Sequence, residues 1–124
     1  MKRLTPFLFL IALLLVSACS KENPNNGKIP FEGEVKEFKI ISKQFSFEPE
    51  TIEVNKGDKV RLIVTSTDVP HGIGISEYGI NERLDVGKPV TIEFTADKEG
   101  TFTSFCSVFC GSGHSKMKGK IIVK

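Results

Sequence analysis

The chain has 124 residues, of which 17 are Lys or Arg and 15 are Asp or Glu. Lys2 and Arg3 account for the excess positive charge, so the rest is balanced and lacks the concentrated basic patch that nucleic-acid binding usually requires. The length allows one core of about one hundred residues, the common size of a single domain.

Residues 1–18 have the features of a secretion signal. Lys2 and Arg3 form a basic start, and the apolar run that follows, 7–16, is too short for a membrane-spanning helix. The run ends in Val-Ser-Ala-Cys19, which resembles the lipobox of bacterial lipoproteins. That resemblance implies cleavage before Cys19 and acylation of its thiol, hence a lipid anchor on the extracytoplasmic side of a bacterial membrane. The alternatives are an ordinary signal peptide with an incidental cysteine, or an uncleaved anchor helix.

The segment that follows, 19–33, has almost no apolar periodicity. Asn, Pro and Gly dominate it, which is typical of a flexible tether. We therefore expect a lipidated cysteine and tether over 19–33 and one folded domain over 34–124.

Short segments in which apolar and polar residues alternate begin at Glu34, and alternation is typical of half-buried strands. The sequence predicts turns at 55–58 and 97–100. Many short strands with a turn about every ten residues predict an all-β sandwich or barrel. Most phenylalanines outside the signal are then expected in the core. The predicted strands are 35–40, 51–54, 60–64, 90–94, 101–105 and 120–123.

One short stretch concentrates metal-binding groups: Cys106, Cys110, His114 and Met117. Such soft and borderline donors favour copper, and the intervening glycines permit a tight loop on which they can converge. The other histidine, His71, ends a predicted turn after a strand. Three alternatives remain open from the residues: a disulfide between the cysteines, a zinc site, and a nucleophile–base pair formed by a cysteine and a histidine.

The pattern Cys-x3-Cys-Gly-x2-His-x2-Met, preceded by Asp68-x2-His71, resembles the CuA domain of cytochrome c oxidase subunit II; related domains occur in nitrous oxide reductase. The resemblance covers about residues 40–124 and implies a Greek-key cupredoxin barrel with two copper ions. It implies that the thiolates of Cys106 and Cys110 each bridge both ions. One ion would be completed by His71 and the other by His114, with weak ligands from Met117 and the backbone carbonyl of Val108. Asp68 would support His71 or only shape the turn.

Such a centre suits transfer of single electrons, because one electron shared by two ions requires little rearrangement at either. With every principal ligand position filled, catalysis on a substrate is disfavoured, and we expect at most the electron-entry module of an oxidase or reductase. We expect an apolar electron port at His114, formed with Gly111 and Gly113. Two alternatives are a mononuclear blue-copper carrier, in which Cys106 has no role, and a copper storage or delivery protein.

The chain departs from subunit II in two ways. It has no Trp and a single Tyr, Tyr78, so electron entry by the family's usual aromatic route is in doubt. The signal, if cleaved, leaves lipid rather than transmembrane helices as the anchor. We therefore expect a membrane-tethered respiratory protein whose redox partner is a cytochrome or a respiratory enzyme subunit.

Overall fold

The computed structural model describes residues 34–124. The predicted signal, the lipidation site Cys19 and the tether lie outside the described residues. Among those described, no helix is long and apolar enough to cross a membrane.

The described residues form nine strands in two sheets, with two single turns of 3₁₀ helix at Ser76–Tyr78 and His114–Lys116. The first sheet has the order β2-β1-β4-β7, and the second has the order β3-β9-β8-β5-β6. The prediction of an all-β sandwich is confirmed. In chain order the strands are β1 (Val35–Lys43), β2 (Ser46–Glu48), β3 (Thr51–Val54), β4 (Lys59–Ser66), β5 (His71–Ile75), β6 (Ile80–Leu84), β7 (Val90–Thr95), β8 (Gly100–Phe105) and β9 (Lys118–Val123).

The core lies between the two sheets and is built by alternation along the strands. In β4 every second residue is buried, and Val60, Leu62 and Val64 have no exposed surface. Burying one such side chain fully stabilises the fold by about 1.5–3 kcal/mol. β4 is the centre of its sheet, since it pairs in parallel with β1 and antiparallel with β7.

β5 positions the first histidine, and its sequence does not alternate: all five residues are buried. Its two glycines are required by close neighbours. A Cβ on Gly74 would collide with the ring of Phe105, and one on Gly72 would collide with the side chain of Ser107. β5 can therefore pack flat against β8 and the loop after it, which places His71 beside that loop.

Four connections meet at one end of the sandwich. They are the β1–β2 turn, the β4–β5 connection, the β6–β7 connection and the long β8–β9 loop. Gln44 of the first donates its backbone N–H to Asp68 of the second and its side-chain amide to Cys110 of the fourth. A bridge between Ser66 and Val86 ties the third connection to the end of β4.

Candidate metal centre

His71, the first residue of β5, is fully buried and has its two ring nitrogens on different partners. Nε2 lies 2.8 Å from Oδ1 of Asp68, and Nδ1 lies 3.7 Å from Sγ of Cys106. Because a carboxylate only accepts, Nε2 carries the proton and Nδ1 keeps its lone pair toward the thiol. A histidine held in this way by a carboxylate is prepared to bind a metal through its other nitrogen.

The Asp68 carboxylate is itself fixed by the backbone. It accepts hydrogen bonds of 2.7 Å from the N–H groups of Gln44 and Val69, in addition to the one from His71. Partial burial would raise the pKa of this carboxyl, but the hydrogen bonds outweigh burial and hold the pKa below its usual value. Asp68 is therefore an anion at neutral pH and keeps the imidazole in one orientation.

The β8–β9 loop brings both cysteines and the remaining donors to the same point. The sulfurs of Cys106 and Cys110 are free and lie 3.6 Å apart. Sγ of Cys106 is 3.1 Å from the carbonyl oxygen of Val108. Sγ of Cys110 is 3.6 Å from Nδ1 of His114 and 3.8 Å from Sδ of Met117. The structure thus brings together every residue that the sequence predicted as a ligand.

The loop is held in shape from within and from outside. The backbone N–H of Cys106 donates to the carbonyl of Met117, and that of His114 donates to Gly111, whose φ of 135° favours glycine. The ring of Phe45, in the β1–β2 turn, packs so closely on Gly111 and Gly113 that neither position has room for a side chain without displacing it. The donors are therefore preorganised by an element that lies far away in sequence.

Burial raises the pKa of the Cys110 thiol to about 11, and the neighbouring Cys106 thiol adds to this effect. The metal-free thiol is therefore protonated at neutral pH. A metal that binds it as thiolate must displace the proton, and metal ions that bind sulfur strongly do so.

The donor set fits a copper centre. Metal–thiolate bonds are about 2.3 Å long, so a single ion can contact two sulfurs that lie 3.6 Å apart. Among the described residues, the donor atoms of His71, Cys106 and Cys110 all lie within 4.8 Å of one another. Two thiols, two imidazoles and a thioether form a softer set than zinc usually takes.

Sequence reasoning missed three residues at this site. Gln44 and Phe45 support the ligand loop across 66 residues of chain, and neither carries a local signal of that role. The third is Phe109, an exception to the expectation that most phenylalanines lie in the core: its side chain is 78% exposed, with its ring centroid 5.5 Å from that of His114. Its position in a glycine-rich loop, rather than in an alternating segment, was the available signal.

A surface cleft of about 320 Å³ adjoins the centre. It is lined by Cys106, His114 and Met117, together with residues of β8 and the start of β9. Cys106 and Met117 themselves are buried beneath this cleft, His114 is half-buried beside it, and His71 is enclosed.

Comparisons with known proteins agree with this architecture. The family described as "Cupredoxin-like domain" matches residues 6–123. Subunit 2 of cytochrome c oxidase from Thermus thermophilus is 33% identical over 85 residues, which cover 68% of this chain and 63% of that protein. Nitrous-oxide reductase from Cupriavidus necator is 33% identical over 90 residues, which cover 69% of this chain and 14% of that enzyme.

Two solved structures show the same fold. A heme-copper terminal oxidase dimer matches with a TM-score of 0.66 and 29% identity, covering 72% of this chain and 65% of that one. The periplasmic domain of subunit II of cytochrome oxidase from Bradyrhizobium japonicum matches with a TM-score of 0.65 and 23% identity, covering 71% and 83%. This chain spans between one half and two thirds of the two Thermus oxidase subunits that it matches.

Proposed function

We propose that this chain, which belongs to the cupredoxin-like domain family and is related to the CuA domains of oxidase subunit II, transfers single electrons through two copper ions bound at one end of its β-sandwich. The observation that carries the proposal is the arrangement of donors around two cysteine sulfurs 3.6 Å apart. Each sulfur has its own histidine nitrogen and its own weak donor. A centre for two ions requires such a division.

The donors divide as follows. On one side, Cys106 lies against His71 and the carbonyl of Val108. On the other side, Cys110 lies against His114 and the thioether of Met117. A mononuclear blue-copper site would need one cysteine, two histidines and a methionine, and would leave the buried Cys106 thiol without a role. This division therefore favours two ions over one.

When bound, a pair of copper ions that share two thiolates takes up and releases one electron with little change at either ion. The chain supports this by holding its donors rigidly. His71 is fixed by Asp68, and the ligand loop is fixed by Phe45 and Gln44. Donors that cannot move keep the geometry similar in both oxidation states, which lowers the barrier to electron transfer.

The two histidines differ in their exposure to solvent, and this difference supports an electron port at His114. His71 has no exposed surface, whereas His114 is half-buried and contacts the exposed ring of Phe109. We infer that electrons enter or leave at His114, beside Gly111 and Gly113, where a partner can approach the donors most closely.

We further propose that the domain of residues 34–124 works outside the cytoplasm, tethered through 19–33 to a lipid on Cys19 after removal of residues 1–18. The support is the lipobox-like sequence before Cys19. Labelling of cells with a radioactive fatty acid tests it: the chain should be labelled, and Cys19→Ala should abolish labelling. We propose a respiratory oxidase or a cytochrome as the redox partner, because the curated relatives include oxidase subunits.

The centre is tested by loading residues 20–124 with copper under reducing conditions, then measuring bound copper and the electron paramagnetic resonance spectrum. We expect two copper ions per chain and hyperfine splitting of one unpaired electron by both nuclei. Cys106→Ser should bind at most one ion and lose that splitting. Ser112→Ala, a change in the same loop at an exposed residue, should keep both. One ion in the unaltered chain, with splitting from one nucleus, would contradict the two-copper proposal.

A second function, copper storage or delivery, is favoured by the cleft that opens onto Cys106 and Met117. It predicts weakly held copper that passes to a chelator within seconds. The electron-transfer function predicts copper that stays bound through many oxidation and reduction cycles. Stopped-flow measurement of copper loss to a chromogenic Cu(I) chelator therefore separates the two.

A further inference from the structure

Phe109 is an apolar side chain that the fold does not bury. It is 78% exposed, while the other large apolar residues with exposed surface among those described, Val86 and Ile41, are 45% and 38% exposed. Its ring centroid lies 5.5 Å from that of the His114 imidazole, and the two ring planes are tilted by 50°. Isolated exposed apolar residues are normal, but an aromatic ring at the most accessible ligand is a natural contact for a partner.

The segment that carries this ring has charge of one sign. Residues 100–124 contain four lysines and no acidic side chain. Two of these lysines, Lys116 and Lys118, flank Met117, and Lys118 also lines the cleft beside His114. Among the described residues, no carboxylate forms an ion pair with either of these two.

Two acidic groups lie at the same end and have partners of their own. Asp68 accepts from His71, and Asp85 pairs with Arg83 at 2.9 Å. Residues 34–124 hold equal numbers of basic and acidic side chains. Within this balance, Lys116 and Lys118 give the surface beside the port a local positive charge.

We propose that this face, defined by Phe109 with Lys116 and Lys118 beside it, docks a redox protein whose own electron-transfer surface is an apolar spot with an acidic rim. The inference rests on the proposed function and adds the chemistry of the partner. The lysines steer the acidic rim toward the port, and Phe109 forms the apolar contact next to His114. A partner with a lysine rim is repelled at the same face.

The test uses the copper-loaded chain and two protein probes: a plastocyanin of net negative charge and a cytochrome c of net positive charge. Second-order electron-transfer rates are measured by stopped flow over a range of ionic strength. The rate with plastocyanin should be the greater at low salt and should fall at least tenfold as salt rises, because salt screens the steering. The rate with cytochrome c should rise with salt or stay constant.

Single-residue variants distinguish the electrostatic contribution to the electron-transfer rate from the contribution of the apolar contact. Lys116→Gln and Lys118→Gln should each lower the low-salt plastocyanin rate about twofold and leave the high-salt rate unchanged. The matched control Lys56→Gln removes one charge from the opposite end and should have no such effect. Phe109→Ala should weaken plastocyanin binding roughly tenfold at all salt concentrations. Each variant should keep the copper content and spectrum of the parent chain.

A faster reaction with cytochrome c at low salt, or lysine variants indistinguishable from Lys56→Gln, would overturn the inference and leave the proposed function intact. A chain that binds no copper would overturn both.

Discussion

Replacing Asp68 by Asn should weaken copper binding by an amount that follows from the hydrogen bonds of its carboxylate. Asp68→Asn keeps the shape of the side chain but leaves one accepting oxygen in place of two, whereas the carboxylate accepts from His71, Gln44 and Val69. At least one hydrogen bond to a charged group is lost. Such bonds are worth about 1.5–3 kcal/mol, and because the side chain is 33% exposed we take the lower end.

A loss of about 1.5 kcal/mol corresponds to roughly tenfold weaker copper binding. This agrees with the 10–100-fold effects typical of groups that orient a metal-binding histidine. The assay is competition for Cu(I) with a chromogenic chelator under reducing conditions, on Asp68→Asn and the parent chain. Asp85→Asn is the matched control, because it removes a carboxylate at the same end that pairs with Arg83 and contacts no candidate ligand.

Copper affinity of Asp68→Asn within twofold of Asp85→Asn would refute the argument that the carboxylate prepares His71. Thermal unfolding of both metal-free variants checks that a change in copper affinity does not come from loss of the fold. Because the hydrogen bonds of Asp68 are present in the metal-free fold, Asp68→Asn should melt about 6–12 °C below Asp85→Asn and still unfold cooperatively above the assay temperature.

Three further predictions concern single side chains. Met117→Leu should cost less than about 1.5 kcal/mol in urea unfolding of the metal-free chain, because the volumes are similar, yet it should shift the reduction potential of the copper-loaded chain by removing a sulfur donor. Gly74→Ala should destabilise the chain by about 1–3 kcal/mol in the same assay, because its Cβ collides with the Phe105 ring, and Phe105→Leu in that background should restore part of the loss. Hydrogen bonds from the Lys36 ammonium and a backbone N–H hold the pKa of Asp58 below 3.8, so its contribution to stability is present above that pH and lost as pH falls through the lowered pKa. Asp58→Asn should therefore lower the melting temperature at pH 7, and the difference from the parent should shrink as pH falls through the lowered pKa.

Each of these has a contradicting result. An unchanged potential in Met117→Leu would remove the thioether from the donor set. Equal stability of Gly74→Ala and the parent would mean that Phe105 moves without cost. A melting-temperature difference for Asp58→Asn that does not shrink as the pH falls would mean that the ion pair is not its source.

The strands that the sequence predicted are those whose exposure alternates. β3 has the predicted bounds, β1 and β7 begin at the predicted residues and extend further, and β4, β8 and β9 begin one or two residues earlier than predicted. Three strands were missed for physical reasons. β5 is buried on both faces and contains two glycines, β6 carries three polar residues in a row at the sheet edge, and β2 has only three residues.

At the site, the types and spacing of Cys106, Cys110, His114 and Met117 predicted a metal-binding loop, because few residue types supply soft ligands. The roles of His71 and the Val108 carbonyl came from the resemblance to the CuA domain. The supports could not be predicted in the same way. Gln44 reaches Cys110 across 66 residues, and only the completed β1–β2 turn places it there. The exposure of Phe109 depends on the path of the loop, which composition does not determine.

The hairpin of β8 and β9 has a consequence for the order of folding. Pairing between neighbours in sequence costs little chain entropy, whereas β3 must find β9 across most of the domain, from Thr51 to Lys120. The hairpin loop alone contains Cys106, Cys110, His114 and Met117. We therefore expect a copper ion present during folding to meet four donors on an unfinished domain and to act as a nucleus around which β5, with His71, and then β3 assemble.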